Sequence, residues 1–407
     1  MPERICRPSA IVLCHVQTGL ATVRGIGRGG IDVHAAIFDP YEPVRYSRYC
    51  RNSHISGSLI QQDKLVDWLI DYAKKLGNSP VVIPTSDEEA LVLSKYFDEL
   101  SPHCRIWKTD YQDLLRLISK GDLYNLAESI GVNVIPSITE PSIGQLEEWA
   151  HVNPGPYFLK PDFEGVPGSS LRQKNLQLPD RDALLDFAAK EGTNALVIQR
   201  RIEGGDGHLF DCYGLCGADG QPLVMASHRR LRQMPPDIGT TTYGEIPAKF
   251  GDQSESILFE STKALLAAAN FHGIFGIEWL HDKETNKFYL IDFNARPFSS
   301  IGHLTACGLN LPLLAYEELV GDELAGCYLV PQLKHKLWVD LLRDLESLKM
   351  YRACNKLGLA EWLGSILRCR SFAYLEWRDP VPGIYRILQI VNRLIKKMGK
   401  ILIRGRS

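Results

Sequence analysis

From Ser9 to Val16 the run SAIVLCHV is short and apolar, and glycines follow soon after it. Such a run predicts a buried parallel strand leading into a helix. A short helix over Thr22 to Arg28 is closed by Gly29 and Gly30, and IDVHAAIFD (Ile31 to Asp39) reads as the next strand, so the chain opens with a βαβ unit. A second unit follows: VDWLIDYAKKLG as helix, PVVIPTSD as strand and EEALVLSKYFDEL as helix. Between Tyr111 and Glu140 the segment SKGDLYNLAESIG is a helix stopped by Gly131, and VNVIPS comes after it.

The pattern then changes. From Pro156 to Glu245 short strands alternate with glycine turns: PYFLKPD, ALVIQRRI, HLFDCYGLC and PLVMASHRR, the last two joined by GADGQ. A helix (Ser254 to Asn270) precedes the strands FGIEWLHD and KFYLIDFN, joined by KETN. Beyond residue 330 the periodicity is that of amphipathic helices with few glycines. The fold class is therefore α/β at the start and α+β afterwards. Changes of texture place boundaries at 1–110, 111–330 and 331–407.

Composition narrows the function classes. At 407 residues the chain has room for two or three domains, and 45% apolar with 23% charged residues is ordinary for a globular protein. A formal charge of −2 supplies no global field for nucleic acid, so no nucleic-acid partner is expected. The ten cysteines are scattered without paired CxxC spacing, which suits reduced thiols and a cytoplasmic location. Cys212 and Cys216 share a strand face, but no second ligand pair completes a zinc site. No secretory h-region follows Met1 to Arg7, and no uninterrupted apolar run of about 18 residues occurs.

Three stretches carry candidate chemistry. The strands FGIEWLHD and YLIDFNARP bring Glu278, Asp292 and Asn294 to converge, with Asp292 and Asn294 on one face by the two-residue period. Two carboxylates and an amide oxygen suit magnesium, which bridges substrate phosphates. Arg296 aims a guanidinium fork at phosphate or carboxylate, although a plain exposed sheet face would read the same way. In FLKPDFEGVPGSS, Lys160 ends a strand and Gly165, Gly168, Ser169 and Ser170 form a loop whose backbone N–H groups can approach phosphate. In LVIQRRIEGGDGH a strand ends in a polar hinge, where Arg201 and Ile202 offer backbone contacts to a purine and Asp206 or Glu203 a carboxylate to ribose. Taken singly, each of the last two is equally a surface turn.

In order along the chain these stretches resemble the ATP-grasp superfamily over roughly residues 9 to 325. The matching elements are ISKGDLYNLAESIGVNVIPS, YFLKPD, EGVPGSS, VIQRRIEG, and IEWL with IDFNAR. NARPFSSIGHLTACGLNLPLLAYEELVG, GLATVRGIGRGGIDVHAAIF and VVIPTSDEEA are similar to the D-aspartate ligase-like carboxylate-amine ligases within it. The resemblance implies an N-terminal Rossmann-like domain, two α+β ATP-grasp subdomains and a helical C-terminal extension. It implies ATP with magnesium or manganese, and a small carboxylate and an amine as substrates. It assigns Lys120 and Lys160 to nucleotide binding, Gln199, Arg201 and Ile202 to the adenine hinge, and Asp206 to ribose. Glu278, Asp292 and Asn294 become the metal ligands, and Arg296 meets the transferred phosphate. Ser119, Arg200 and Asp292 depart from the family pattern, which often has an acid before the first lysine and a glutamate at the hinge, and a longer acid as the last metal carboxylate.

In ASHRRLRQMPPDIGTTTYGE, alternation puts Arg230 and Arg232 on one face, and the resemblance turns that face to the γ-phosphate; Arg229 is adjacent. Ser299, Ser300, His303 and Thr305 are the substrate-pocket candidates, and no feature specifies an oligomeric state. A phosphotransferase acting on a hydroxyl, or a non-catalytic nucleotide-binding module, are the rival functions. The tail RILQIVNRLIKKMGKILIRGRS is amphipathic and basic, with Arg386, Arg393, Lys396, Lys397, Lys400 and Arg404 and no acid. We expect a helix docked on the body with its basic face in water; contact with an anionic membrane or a partner is the alternative.

Overall fold

The computed structural model describes residues 7–56, 61–163, 170–171, 175–202, 204–250, 254–322, 324 and 329–404. Three sheets organise them. The first is parallel, in the order Asn52–Ile55, Val33–Ile37, Ala10–Cys14, Val81–Ile83. AIVLC, VHAAI and VVI are buried at every position because helices cover both faces. Helix Val16–Arg28 packs on one face, and helices Gln62–Leu76 and Asp87–Lys95 on the other. The opening helix runs to 13 residues despite its glycines, since Gly19 and Gly25 sit where a Cβ would strike Cys14 and Pro312. Close packing thus offsets their poor helix propensity.

The second sheet is small and antiparallel, in the order Ser137–Thr139, Leu196–Arg200, Tyr157–Pro161, Leu176–Leu178. Helices Ile143–Val152 and Arg181–Glu191 cover one face through Leu146, Leu184 and Ala188.

The third has seven strands in the order Lys287–Asn294, Gly273–Asp282, Leu209–Cys216, Pro222–Met234, Thr240–Ile246, Lys336–Val339, Ser371–Phe372. Helices Tyr111–Ile118, Lys120–Ser129 and Ser254–Ala269 pack on one face around Phe275, Trp279 and Phe293. Helices Ile301–Cys307 and Leu311–Val320 share a core with Tyr213 and Leu215 on the other. Its last two strands come from the segment read as helical, which therefore adds strand pairing to its helices: Tyr243 faces Val339 and Gly244 faces Trp338. A segment as short as KLWV, with three apolar residues, does not tell strand from helix by itself. Among the described residues no helix is long and apolar enough to cross a membrane.

Candidate functional site

A cleft of about 670 Å³ opens between the three sheets. Its floor is a row of in-register residues across the seven-stranded sheet. Asp211 faces Glu278 on one side and His228 on the other, and Glu278 faces Asp292. Gly276, Glu278 and Leu280 alternate with the buried Ile277 and Trp279, as a strand with one packed face requires. A register shift next to Glu278 breaks that alternation in the partner strand. Ile291 and Asp292 are consequently both turned to the cleft, while Leu290 and Phe293 stay in the core.

The charges along this floor are compensated in sequence. Asp211 and His228 have no solvent exposure, and the carboxylate accepts from His228 Nδ1 at 2.6 Å and from Arg230 Nε at 3.1 Å. Burial opposes a charge there, but Arg230 and His228 outweigh it and hold the Asp211 carboxyl well below the usual carboxylate range. Arg230 also reaches Glu278 Oε1 at 2.7 Å. Asn294 Nδ2 donates to Gly276 O at 3.1 Å and to Glu278 Oε1 at 3.3 Å, and Lys120 Nζ lies 3.7 Å from Asp292 Oδ1.

Lys120 stands at the first position of its helix, which is fastened at its start. Ser119 Oγ caps Asp122 N–H and donates to Asp162, and Gly121 N–H donates to the same carboxylate at 2.7 Å. The short residue at 119, where the family pattern often has an acid, is thus the helix N-cap. Lys160, on Tyr157–Pro161, is buried and lines the cleft, with Nζ 5.3 Å from the Phe158 ring. Gly165, Gly168 and Ser169, together with Glu203, lie outside the described residues.

At the hinge Gln199 is buried and lines the cleft with Arg201 and Ile202. The Arg201 N–H already donates to Pro156 O at 2.7 Å, so of the two hinge residues that backbone N–H is not open to a purine. Ile202 belongs to an apolar cluster with Ile135, Leu209, Leu280 and Ile291, all of which line the cleft and form a slot of purine-binding character. Ile135 and Leu280 were passed over in the sequence because nothing local distinguishes them from core residues.

Two of the predicted site residues face elsewhere. Asp206 accepts from Gln233 Nε2 at 3.2 Å and from the Tyr351 hydroxyl, away from the cleft, and the carboxylate lining that end is Asp237. Arg232 is separated from Arg230 by a register shift in the pairing of their strand, which defeats simple alternation. Its guanidinium forms two bonds to the buried Asp344, at 3.0 and 2.7 Å, and lies 3.9 Å from the Tyr243 ring. Of the pocket candidates beyond the metal motif only Ser299 lines the cleft; Ser300 bonds to Tyr213 at 3.0 Å, and His303 is buried against Lys336 O at 2.9 Å.

The parallel sheet supplies the opposite wall through His15 to Thr18 and Thr85 to Glu88. Ser86 forms a capping box with Glu89, which sets Asp87 at the start of its helix, 2.9 Å from Arg296 Nη2. Burial pushes the Asp87 carboxyl up, Arg296 pulls it down, and nearby Asp292 adds to the rise, so the net shift is upward. His15 Nε2 lies 2.8 Å from the fully buried Glu89.

The donor set fits a divalent cation. Glu278 and Asp292 are directly opposed and part-exposed, and Asn294 spends its Nδ2 on neighbours, which points its Oδ1 away from them. Among the described residues no trio of His, Cys, Asp or Glu is arranged to hold a metal, and the third oxygen beside this pair is the Asn294 amide.

No protein-family model matches the chain, and no curated protein matches it in sequence. Solved structures do resemble it. An N5-carboxyaminoimidazole synthetase from Staphylococcus aureus is 15% identical, with 85% of each chain covered and a TM-score of 0.64. A biotin carboxylase from Campylobacter jejuni, crystallised with β-γ-ATP, is 14% identical over 81% of this chain and 74% of its own, with a TM-score of 0.62. An L-amino acid ligase from Bacillus licheniformis is 13% identical over 77% and 74%, with a TM-score of 0.60. The chain has the ATP-grasp fold.

Proposed function

We propose that this chain is an ATP-dependent carboxylate-amine ligase working on small substrates in the cytoplasm. The observation that carries the reading is the opposed pair Glu278 and Asp292 with Asn294, ringed by Lys120, Arg230 and Arg296 and continuous with the apolar slot at Ile202. The names of the structural neighbours, an amino acid ligase and two enzymes solved with adenine nucleotides among them, support it.

In this reading the purine enters the slot, and Lys160 and Lys120 neutralise the phosphates. Glu278, Asp292 and Asn294 would hold magnesium or manganese, which would supply positive charge against that of the phosphates. A substrate carboxylate oxygen attacks the γ-phosphorus as ADP leaves, giving an acyl phosphate and ADP. Arg296 would neutralise the acyl phosphate, its guanidinium held by Asp87 at 2.9 Å. An amine nitrogen then attacks the acyl carbon, the C–O bond breaks towards phosphate, and the nitrogen loses a proton. Positioning and charge neutralisation carry this chemistry, and no protein nucleophile is required. The test is ADP release against a panel of amino acids and hydroxy acids, alone and in pairs. Amide and inorganic phosphate as products support a ligase; a phosphoester supports a phosphotransferase instead.

A further inference from the structure

The last helix, Val381–Arg404, spans 24 residues, and its first turns meet the rest of the molecule through both polar side chains and the apolar Gly383 and Ile387, which lie against Leu341, Phe372 and Leu375. Arg386 lies 5.5 Å from the Tyr374 ring, Gln389 donates to Tyr41 O at 2.7 Å, and Tyr385 packs 4.4 Å from Tyr46. Ile384, Leu388, Val391 and Ile395 recur at intervals of four and three, which keeps them on the other side of the helix. They are 51, 54, 43 and 61% exposed. The helix is docked on the body as expected, but Ile384, Leu388, Val391 and Ile395 form an apolar stripe that looks outward instead of packing. Trp377, just ahead of the helix, is 94% exposed.

An outward stripe of large aliphatic residues marks an interaction surface. Charge decides what kind. The helix carries Arg386, Arg393, Lys396, Lys397, Lys400 and Arg404, and no Asp or Glu. A second copy of the same helix would bring the same cations and nothing to pair with them, whereas anionic headgroups complement both the charge and the exposed tryptophan. We propose that this helix lies on an anionic lipid surface, its apolar stripe at the acyl boundary and its uncompensated positive charge drawing it to the headgroups, and that it tethers the body there as a peripheral protein. The proposal is independent of the ligase reading.

Sedimentation of the full chain with vesicles of mixed phosphatidylglycerol and phosphatidylcholine, against phosphatidylcholine alone, tests it. Each basic residue reaching an anionic surface strengthens binding by about fivefold, so the mixed vesicles should retain at least about tenfold more protein. Replacing Ile384, Leu388, Val391 and Ile395 together by Ser should lower retention at least about tenfold while ATP affinity in solution is unchanged, because the stripe supports no core. Arg393→Glu with Lys397→Glu should lower it as well. Wild type remaining in the supernatant, equal retention on both lipids, or retention unaffected by the Ser substitutions would overturn the proposal. So would a wild-type dimer made monomeric by those substitutions without any vesicle binding, which would assign the stripe to a second copy.

Discussion

Asp211 carries no solvent exposure yet stays ionised, because His228 and Arg230 are both bonded to it. Removing one partner of such a cluster leaves an uncompensated buried charge, so Asp211→Asn should destabilise the protein by about 3 to 5 kcal/mol at neutral pH. The pH dependence follows from the depressed carboxyl. Its contribution is fully present above the unfolded carboxylate value, near pH 4, and is lost as pH falls through the lower folded value. Urea midpoints measured from pH 7 downward should therefore converge for wild type and variant in acid; a constant gap would contradict the assignment. Asp211, the lone acid in the apolar run LFDCYGLC, is not singled out by the sequence pattern, which does not show that its strand aligns it with Glu278 and His228. Lys160→Ala should weaken ATP binding by about 2 to 3 kcal/mol, the scale of one charge-assisted contact in a partly buried site. Calorimetric titration with the folded variant checks this, and an unchanged affinity would remove Lys160 from the site.

The start of helix Lys120–Ser129, which carries the lysine, is anchored by the Asp162 carboxylate through Gly121 N–H and the Ser119 hydroxyl. Asp162→Ala should cost about 1 to 2 kcal/mol in chemical denaturation, as for a lost N-cap, and should weaken nucleotide binding although Asp162 does no chemistry. Stability lost with nucleotide affinity intact would mean that Lys120 does not depend on this anchor. Most of the elements were readable because burial imposes its period: continuous apolar runs for the parallel strands, Asp292 and Asn294 alternating about the buried Phe293, and a glycine stop at 131. The parts that escaped are those where the period slips. The irregularity beside Glu278 turns Ile291 into the cleft, and the one beyond Arg230 takes Arg232 to Asp344. Single residues added to a ladder leave no trace in composition or spacing. The hydrogen bonds that take Asp206 to Tyr351 and Gln233 cross more than twenty positions, and no local pattern reports them.

Across the whole molecule, three sheets each contribute one wall of the cleft, and the charges on those walls alternate: Asp87 with Arg296, Asp292 with Lys120, Glu278 with Arg230. In the proposed reading those cations would meet the phosphates and the acids would be shared with a divalent ion. Asp292 is the sharpest point at which to challenge this account, since Asp292→Asn preserves shape and removes one charge of the opposed pair. The decisive measurement is ADP release at saturating magnesium, wild type beside Asp292→Asn, with the carboxylate and amine pair that the substrate panel identifies. The account predicts that wild-type release requires magnesium and both substrates, and that the variant loses nearly all of it while keeping its fold and much of its metal-free adenine binding. Near wild-type release by the folded variant would contradict both the cation assignment and the acyl-phosphate mechanism built on it.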